Sequence, residues 1–202
     1  MSVDQLFTRE VSCHSGIDGE RFQTGRLDRQ HWTKIAEASS HISELPIYVD
    51  DSPTSTITEL QSKIRTFKKR YGRGLVIVDY LDYIRGLKSD RKDLEIGTVT
   101  KGLKASAKDH DLPIILFVQL NRDCENRPDK RPVIRDLRNS GEIEQDADTI
   151  SFIYRHEVYD PEDEETKGKA EFIVRKYRQG KTGIIPLAYI GHRTTFENLA
   201  YG

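Results

Sequence analysis

Four cationic side chains and a Gly-Lys-Thr triplet lie close together in residues 175–183, which read RKYRQGKTG. Such a triplet ends the phosphate-binding loop (P-loop) G-x-x-x-x-G-K-[ST], whose first glycine lets backbone N–H groups turn toward phosphate oxygens before a helix begins. Here Arg175 occupies the position of that glycine. Residues 182–189 are rich in β-branched and aromatic types, which predict a strand rather than a helix. The triplet is therefore not a P-loop, and we predict a hairpin between strands at 170–177 and 184–190.

Asp79 is a second candidate for chemistry, because it ends the apolar run of residues 74–80. A carboxylate at the tip of a strand can bind Mg²⁺ or its waters without being buried, as a nucleotide hydrolase requires. Strand-end aspartates are also common as turn or cap residues. This residue alone therefore leaves both interpretations open.

The elements that must position these residues are strands alternating with helices, which predict an open α/β sheet with right-handed crossovers. We predict helices at 1–13, 28–45, 57–70 and 94–109, and strands at 46–51, 74–80, 113–118 and 149–155. Continuous apolar runs predict that strands 74–80 and 113–118 are buried on both faces.

In such a sheet, ligands bind beyond the carboxyl ends of the strands. Three polar groups follow predicted strands: Asp50 with Asp51, Asp79, and Gln119 with Asn121 and Arg122. Residues 121–140 are rich in charge and proline and too long for an ordinary connection, so they form a candidate functional loop.

Bulk composition excludes several classes of protein. The 202 residues are 36% hydrophobic and 32% charged, with a formal net charge of −1, so any nucleic-acid binding must come from local patches. No apolar run approaches the roughly 18 residues that would indicate a membrane span, and no signal peptide is evident. We expect a cytoplasmic protein with no membrane partner. Cys13 and Cys124 lack metal-ligand spacing, so both are predicted to be unpaired thiols.

The basic segment 63–73 has an ordinary structural interpretation. Its cations alternate with an apolar stripe at helical spacing, and Thr56 with Glu59 matches a capping box, so we interpret them as the solvated face of a helix.

Long motifs in the same order resemble the C-terminal ATPase domain of DnaB-type replicative DNA helicases, and the likeness runs through essentially the whole chain. They are TGRLD (24–28), LPIYVDD (45–51), VDYLDYI (78–84), VQLNRDCENRPDKRPVIRDLRNSGEIEQDADTISFIYRHEVY (118–159) and RKYRQGKTG (175–183). The resemblance implies a RecA-like fold, with a mostly parallel central sheet flanked by helices and a C-terminal β-hairpin. It also implies a ring of identical subunits, a hexamer, threaded by single-stranded DNA.

The same resemblance implies roles for individual residues. Asp79 matches the Walker B carboxylate that acts on Mg²⁺ and its water, and Gln119 matches the sensor of the ATP γ-phosphate. Lys176 and Arg178 match the pair that reaches into the ATP site of a neighbouring subunit; we call them the finger pair. Arg138, Asn139 and Gly141 match the loop that touches the DNA backbone. Many family members carry an acidic residue at the position of Asn139, where this chain departs from the family pattern.

The chain departs from the family pattern at the P-loop. The family's P-loop precedes the first residue here, and no G-x-x-x-x-G-K-[ST] occurs in the 202 residues. Residues 1–202 are therefore expected to form a partial RecA-like domain that hydrolyses ATP poorly alone. Two interpretations stay open: a part of a replicative helicase, or a helicase remnant that binds DNA or joins a ring without hydrolysis. A RecA-like recombinase is a third interpretation. It ranks below the other two because the SGEIEQDAD and KYRQG segments resemble helicases rather than recombinases. Helicase loader and primase are expected partners of the first.

Overall fold

The computed structural model describes residues 2–52, 55–85, 92–137 and 140–199. The α-helices in these residues are α1 Val3–Ser15, α2 Gly19–Thr24, α3 Arg29–Glu44, α4 Ile57–Tyr71, α5 Lys92–His110 and α6 Ser140–Asp146. The strands are β1 Ser55–Thr56, β2 Val76–Val78, β3 Ile84–Arg85, β4 Ile114–Leu116, β5 Thr149–Tyr154, β6 Lys169–Tyr177, β7 Gly183–Ile190 and β8 Thr195–Asn198.

The chain divides into two compact units. The first contains Met1–Asp51, Ile153–Phe172 and Ile184–Gly202, and the second contains Ser52–Phe152 and Ile173–Gly183. Among the described residues, no helix combines the length and the apolar composition needed to cross a bilayer.

Helices α1 and α3 form the core of the first unit. Ser2 caps α1 through a capping box with Gln5, and Gly16 follows α1 as its C-cap residue, with a φ of 70° in the left-handed region that favours glycine. Val11, Ala38 and Ile42 are buried together. Helix α3 confirms the helix predicted at 28–45, whereas helix α2 was not predicted.

Helix α4 begins where its sequence predicts. The Glu59 N–H donates to Thr56 Oγ1 over 3.2 Å, and the Thr56 N–H donates to Glu59 Oε2 over 2.7 Å, which completes the capping box. Ile57 and Ile64 are buried on one side of the helix, while Arg65 is exposed on the other. The structure therefore supports the solvated-face interpretation of the basic segment.

Strands β2 and β4 form a parallel pair in the second unit. Val76 lies opposite Ile114 and Val78 opposite Leu116. The prediction that both strands are buried on both faces is wrong: Ile77 is 57% exposed and Ile115 is 44% exposed. Burial of a parallel sheet on both faces needs a covering layer on each side. The described residues cover only the face opposite to the one that carries Ile77 and Ile115.

The predicted strand at 46–51 is also wrong. In the part of the chain that the structure describes, these residues pair with no strand, because Pro46 lacks an N–H donor and the apolar side chains of residues 47–49 are exposed. Strand β1 comes later, and Ser55 and Thr56 pair in parallel with Ile84 and Arg85 of β3.

The C-terminal sheet has the strand order β5-β6-β7-β8. Strands β6 and β7 are neighbours, as the predicted hairpin requires, and β7 begins at Gly183 directly after the Gly-Lys-Thr triplet. A strand therefore follows the triplet where a P-loop would have a helix. Strand β8 was not predicted; it pairs antiparallel with β7, with Leu187 opposite Asn198.

Candidate active site

Asp79 and Gln119 follow the two paired strands β2 and β4 on the same edge. The ladder continues past the strand ends, because the Phe117 N–H donates to the Val78 carbonyl and the Leu81 N–H donates to the Phe117 carbonyl, each over 2.9 Å. Asp79 is therefore the neighbour of Phe117 on the adjacent strand. Gln119 follows Phe117 by two residues along the chain. Both polar side chains are exposed. Parallel pairing thus places one carboxylate and one amide at the same edge of the sheet, where the sequence predicted them.

The residues at this edge fit a magnesium ion held jointly with a nucleotide. Within the described parts of the chain, no group of three or more His, Cys, Asp or Glu side chains could hold a metal. Mg²⁺ in nucleotide sites characteristically uses one or two protein carboxylates, with phosphate oxygens and waters completing its octahedron. The single exposed carboxylate of Asp79 matches this mode of binding. The described residues offer no metal site made of protein ligands alone.

The finger pair contacts helix α6. Lys176 Nζ donates to the carbonyl of Glu144, and Arg178 Nη2 donates to the carbonyl of Gln145. These carbonyls are among the last of α6, where the helix leaves carbonyl groups without internal partners and carries partial negative charge. None of the hydrogen bonds that the finger pair makes within the described residues reaches Asp79 or Gln119. The sequence-predicted residues therefore form two groups with separate contacts.

Asp148 follows α6 and binds two cations. Its carboxylate accepts from Arg178 Nη1 over 3.1 Å and is also paired with Lys104 Nζ from α5. The Lys104 ammonium, and then the Arg178 guanidinium, hold the pKa of the Asp148 carboxyl below its usual range. Sequence reasoning missed Asp148 and Lys104, because their partners lie 30 and 44 residues away and follow no local spacing rule.

Arg175 makes a different contact from the finger pair. Its Nε donates to the carbonyl of Pro132 over 3.3 Å, whereas Lys176 reaches α6. Successive side chains of a strand point to opposite faces, so β6 sends one cation to the loop before α6 and the next to α6 itself.

The proposed DNA loop is only partly described, since Arg138 and Asn139 lie outside the described residues. Gly141 is exposed in the first turn of α6, and apart from its chain neighbours and the backbone of its own helix, no heavy atom lies within 4 Å of the position that a Cβ would take. The space beside its Cα is therefore open.

Two contacts hold α6 against α5. Lys101 Nζ donates to Glu142 Oε2 over 2.8 Å, and Thr100 Oγ1 donates to Asp146 Oδ2 over 2.6 Å. Gly97 makes this close approach possible, because a Cβ there would lie 2.9 Å from Glu142 Oε2. The segment that carries Gly141 and receives the finger pair is thus fixed on a 19-residue helix.

A buried ion pair frames the loop that leads to residue 138. Asp136 accepts two hydrogen bonds from the Arg127 guanidinium, and the Asn121 N–H donates to the Asp136 carbonyl over 2.8 Å. Leu120 also bridges to Leu137. The end of the loop is therefore joined back to the residues that follow β4, where the loop starts.

Comparison with known proteins covers nearly the whole chain. The family model of the DnaB-like helicase C terminal domain matches residues 1–198. The replicative DNA helicase DnaB of Pasteurella multocida is 44% identical over 204 residues, in a match that covers 99% of this chain and 44% of the relative. DnaB of Geobacillus stearothermophilus is 36% identical over 201 residues, covering 98% of this chain and 44% of the relative. The chain thus spans less than half the length of these curated relatives.

Solved structures agree with the sequence comparison. A DnaB-like replicative helicase, whose structure was described with its interactions with primase, superposes with a TM-score of 0.94 at 33% identity, covering 99% of this chain and 49% of that chain. A second solved structure, described as an ATPase domain, gives a TM-score of 0.93 at 34% identity, covering 99% of this chain and 72% of that chain. The predicted RecA-like α/β fold is confirmed. The chain belongs to the family of DnaB-like helicase C-terminal domains.

Proposed function

We propose that this chain is the C-terminal part of the ATPase domain of a replicative DNA helicase, which unwinds duplex DNA by moving as a ring along single-stranded DNA. The observation that carries the proposal is the position of Asp79 and Gln119 at adjacent carboxyl ends of paired strands, in a chain that matches the family from residue 1 to residue 198. That edge of a parallel α/β sheet is where nucleotides bind in such folds.

Asp79 and Gln119 have separate roles in this proposal. The Asp79 carboxylate binds Mg²⁺ or one of its waters, and the Gln119 amide contacts the γ-phosphate of ATP and responds to its loss. Bound Mg²⁺ would neutralise charge on the phosphate oxygens as the phosphoryl group transfers. Both side chains are exposed, so neither has to leave a buried environment to reach a ligand.

The finger pair acts in a neighbouring subunit. Lys176 and Arg178 lie at the end of β6 and just beyond it, at an exposed hairpin turn. Cations placed there can stabilise charge that develops on a transferring phosphoryl group, as arginine fingers supplied in trans do. Such an arrangement requires a homo-oligomeric ring, and we propose a hexamer.

The loop at Arg138, Asn139 and Gly141 binds the DNA backbone. A guanidinium and exposed backbone N–H groups bind phosphate oxygens without reading base sequence. The open space around Gly141 supports this role. We further propose that the helicase acts in the cytoplasm, and that a helicase loader and primase are its partners.

The 202-residue polypeptide is expected to hydrolyse ATP poorly by itself, since it contains no P-loop lysine and hydroxyl to bind the phosphates. The same observation favours a second candidate function, in which the chain binds DNA or joins a ring without hydrolysis. Retention of Asp79, Gln119 and the finger pair supports the helicase instead, because a pure binding module has no physical need for all four residues.

Two measurements test the proposal. We expect the 202-residue chain to bind a single-stranded oligonucleotide in a salt-dependent manner while its Mg-ATP hydrolysis stays at the background rate. Absence of DNA binding at low salt would contradict the DNA part of the proposal. If DNA-stimulated hydrolysis appears and falls with Arg178→Ala, phosphate is bound elsewhere in this chain and the P-loop argument is wrong.

The second measurement uses an extended polypeptide, in which the segment that precedes the matched region in the 44% identical relative is joined before Met1. We expect DNA-stimulated hydrolysis that falls about 10³-fold or more with Arg178→Ala, the range for an arginine finger. The control is Arg65→Ala, which removes the same side chain from the exposed face of α4. If Arg178→Ala and Arg65→Ala hydrolyse ATP at the same rate, the finger role is rejected. If the extended polypeptide does not hydrolyse ATP at all, the result favours the non-hydrolysing alternative.

A further inference from the structure

We propose that Asp148 is the positioning residue of Arg178 and holds its guanidinium in one orientation against the end of helix α6. The inference rests on the proposed function of Arg178 and adds a residue that the family resemblance did not single out. Asp148 orients the Arg178 cation within its own subunit, before a neighbouring subunit is present.

Asp148 fixes both ends of the Arg178 side chain. At the backbone, the Arg178 N–H donates to the Asp148 carbonyl over 2.9 Å. At the tip, Arg178 Nη1 donates to Asp148 Oδ1 over 3.1 Å. Arginine has a long side chain with several free torsions, and its tip is otherwise mobile. Two attachments to one residue, 30 positions away in the chain, limit the orientations that the guanidinium can adopt.

Helix α6 completes this support. The Gln145 carbonyl accepts from Arg178 Nη2, and the Glu144 carbonyl accepts from Lys176 Nζ. Both carbonyls belong to the last turn of the helix, where cations are electrostatically favoured. The two members of the finger pair are therefore held by the same helix end, at a fixed position relative to each other.

Arg178 remains available for a ligand while it is held. A guanidinium carries about five N–H donors, and the contacts to Asp148 and Gln145 occupy only some of them. The Arg178 side chain is 46% exposed. The remaining donors are thus available to phosphate oxygens. A side chain that is oriented before it binds loses less conformational entropy on binding, which is the advantage of preorganisation.

Lys104 keeps Asp148 itself in place. Its ammonium pairs with the second carboxylate oxygen, Oδ2, while Arg178 uses Oδ1. Lys104 belongs to α5, the same helix that holds α6 through Lys101 and Glu142. Among the described residues, the charged groups that pair with the Asp148 carboxylate are one cation from α5 and one from the turn after β6. An isolated ion pair this exposed would contribute little, but here it is one contact in a set that includes backbone hydrogen bonds.

The first test measures the order of the Arg178 side chain directly, in the 202-residue chain with ¹⁵N-labelled arginine. We expect the Nε–Hε group of Arg178 to be more ordered than that of Arg65, which is exposed on α4. Asp148→Asn should reduce its order toward the Arg65 level, because of the acceptors that the structure describes only the Gln145 carbonyl then still binds the guanidinium, and Asp148→Glu should restore part of it. The control Glu164→Gln breaks the exposed ion pair with Lys167, which lies outside helices α5 and α6, and should leave Arg178 unchanged. An Arg178 as mobile as Arg65, or one unaffected by Asp148→Asn, overturns the proposal.

The second test measures kinetics in the extended polypeptide. We expect Asp148→Asn to lower kcat about tenfold with little change in the KM for ATP, and to have no additional effect when Arg178 is already alanine. Glu164→Gln, which breaks the exposed pair with Lys167, should keep kcat near that of the parent. If Arg178→Ala has no effect, the proposed finger role fails. If Arg178→Ala acts but Asp148→Asn does not, only the positioning role of Asp148 fails.

Discussion

Arg127 and Asp136 form a bidentate ion pair inside the loop between β4 and α6. Arg127 Nη1 donates to Asp136 Oδ1 over 2.9 Å, and Nη2 donates to Oδ2 over 2.7 Å. Asp136 is only 2% exposed and also accepts from the Val133 N–H over 2.9 Å. Arg127 Nη2 donates as well to the Arg131 carbonyl over 3.0 Å. The pair therefore sets the course of the chain just before the proposed DNA loop.

Loss of this pair should destabilise the protein. Asp136→Ala leaves the Arg127 guanidinium partly buried without its partner, and breaking a buried pair from one side typically costs about 3–5 kcal/mol. We expect the lower end, about 3 kcal/mol, because the Arg127 side chain keeps 21% of its exposure to water. Urea unfolding followed by circular dichroism measures the change. Asp129→Ala is the control, since its pair with Arg131 is at the surface and should contribute about 1 kcal/mol or less.

The same carboxylate predicts a pH dependence. Burial raises the pKa of Asp136, but the hydrogen bonds from Arg127 and Val133 lower it by more, so the pKa in the folded state lies below the ordinary value. The carboxylate therefore stabilises the fold fully above that ordinary value, and this contribution is lost as the pH falls through the lowered pKa. Asp136→Asn should flatten the acid limb of a stability-versus-pH curve. An unchanged acid limb would show that other carboxylates control acid unfolding.

Local patterns predicted the parts of the fold that depend on neighbours in sequence. The capping residues Thr56 and Glu59 located the start of α4, and the composition around Gly180 located the β6–β7 hairpin. The carboxyl ends of β2 and β4 placed Asp79 and Gln119 correctly because parallel strands share an edge.

Features that depend on distant partners could not be predicted. Residues 46–51 have the composition of a strand but no neighbouring strand among the described residues. Ile77 belongs to an apolar strand, and an apolar run alone does not show that one face of the strand is exposed. The contact between Asp148 and Arg178 joins residues 30 positions apart. Neither the helical period nor the strand period carries information at that separation.

The N-terminus of α4 offers a test of capping. Thr56→Ala removes the hydroxyl that accepts from the Glu59 N–H, and loss of such a cap costs about 1 kcal/mol. Thr66→Ala is a matched control on the same helix, because its hydroxyl donates to the Ser62 carbonyl within the helix and caps no helix end. Chemical unfolding should show a loss for Thr56→Ala and none for Thr66→Ala. Equal losses would mean that the capping box contributes nothing specific.

Two helical glycines should respond oppositely to the same substitution. In Gly102→Ala, the new Cβ would lie 2.6 Å from Ile57 Cγ1, where α4 packs on α5. Overpacking outweighs the higher helix propensity of alanine, so we expect a net loss of about 1–2 kcal/mol. In Gly141→Ala, the Cβ meets open space, and we expect stability to be kept or slightly raised. Thermal unfolding of both variants measures the difference, and similar shifts would contradict the packing argument.

Salt-dependent DNA binding tests the role proposed for Arg138. Each phosphate neutralised on a single strand contributes about −0.7 to the slope of log K against log salt concentration. Arg138→Ala should therefore weaken binding of a labelled oligonucleotide and make this slope shallower by about 0.7. Fluorescence anisotropy across a salt series gives both quantities. Arg65→Ala removes an equal charge from the exposed face of α4 and should leave the slope unchanged. If the two variants shift the slope equally, the DNA contacts are spread over the basic surface and the loop has no special part in them.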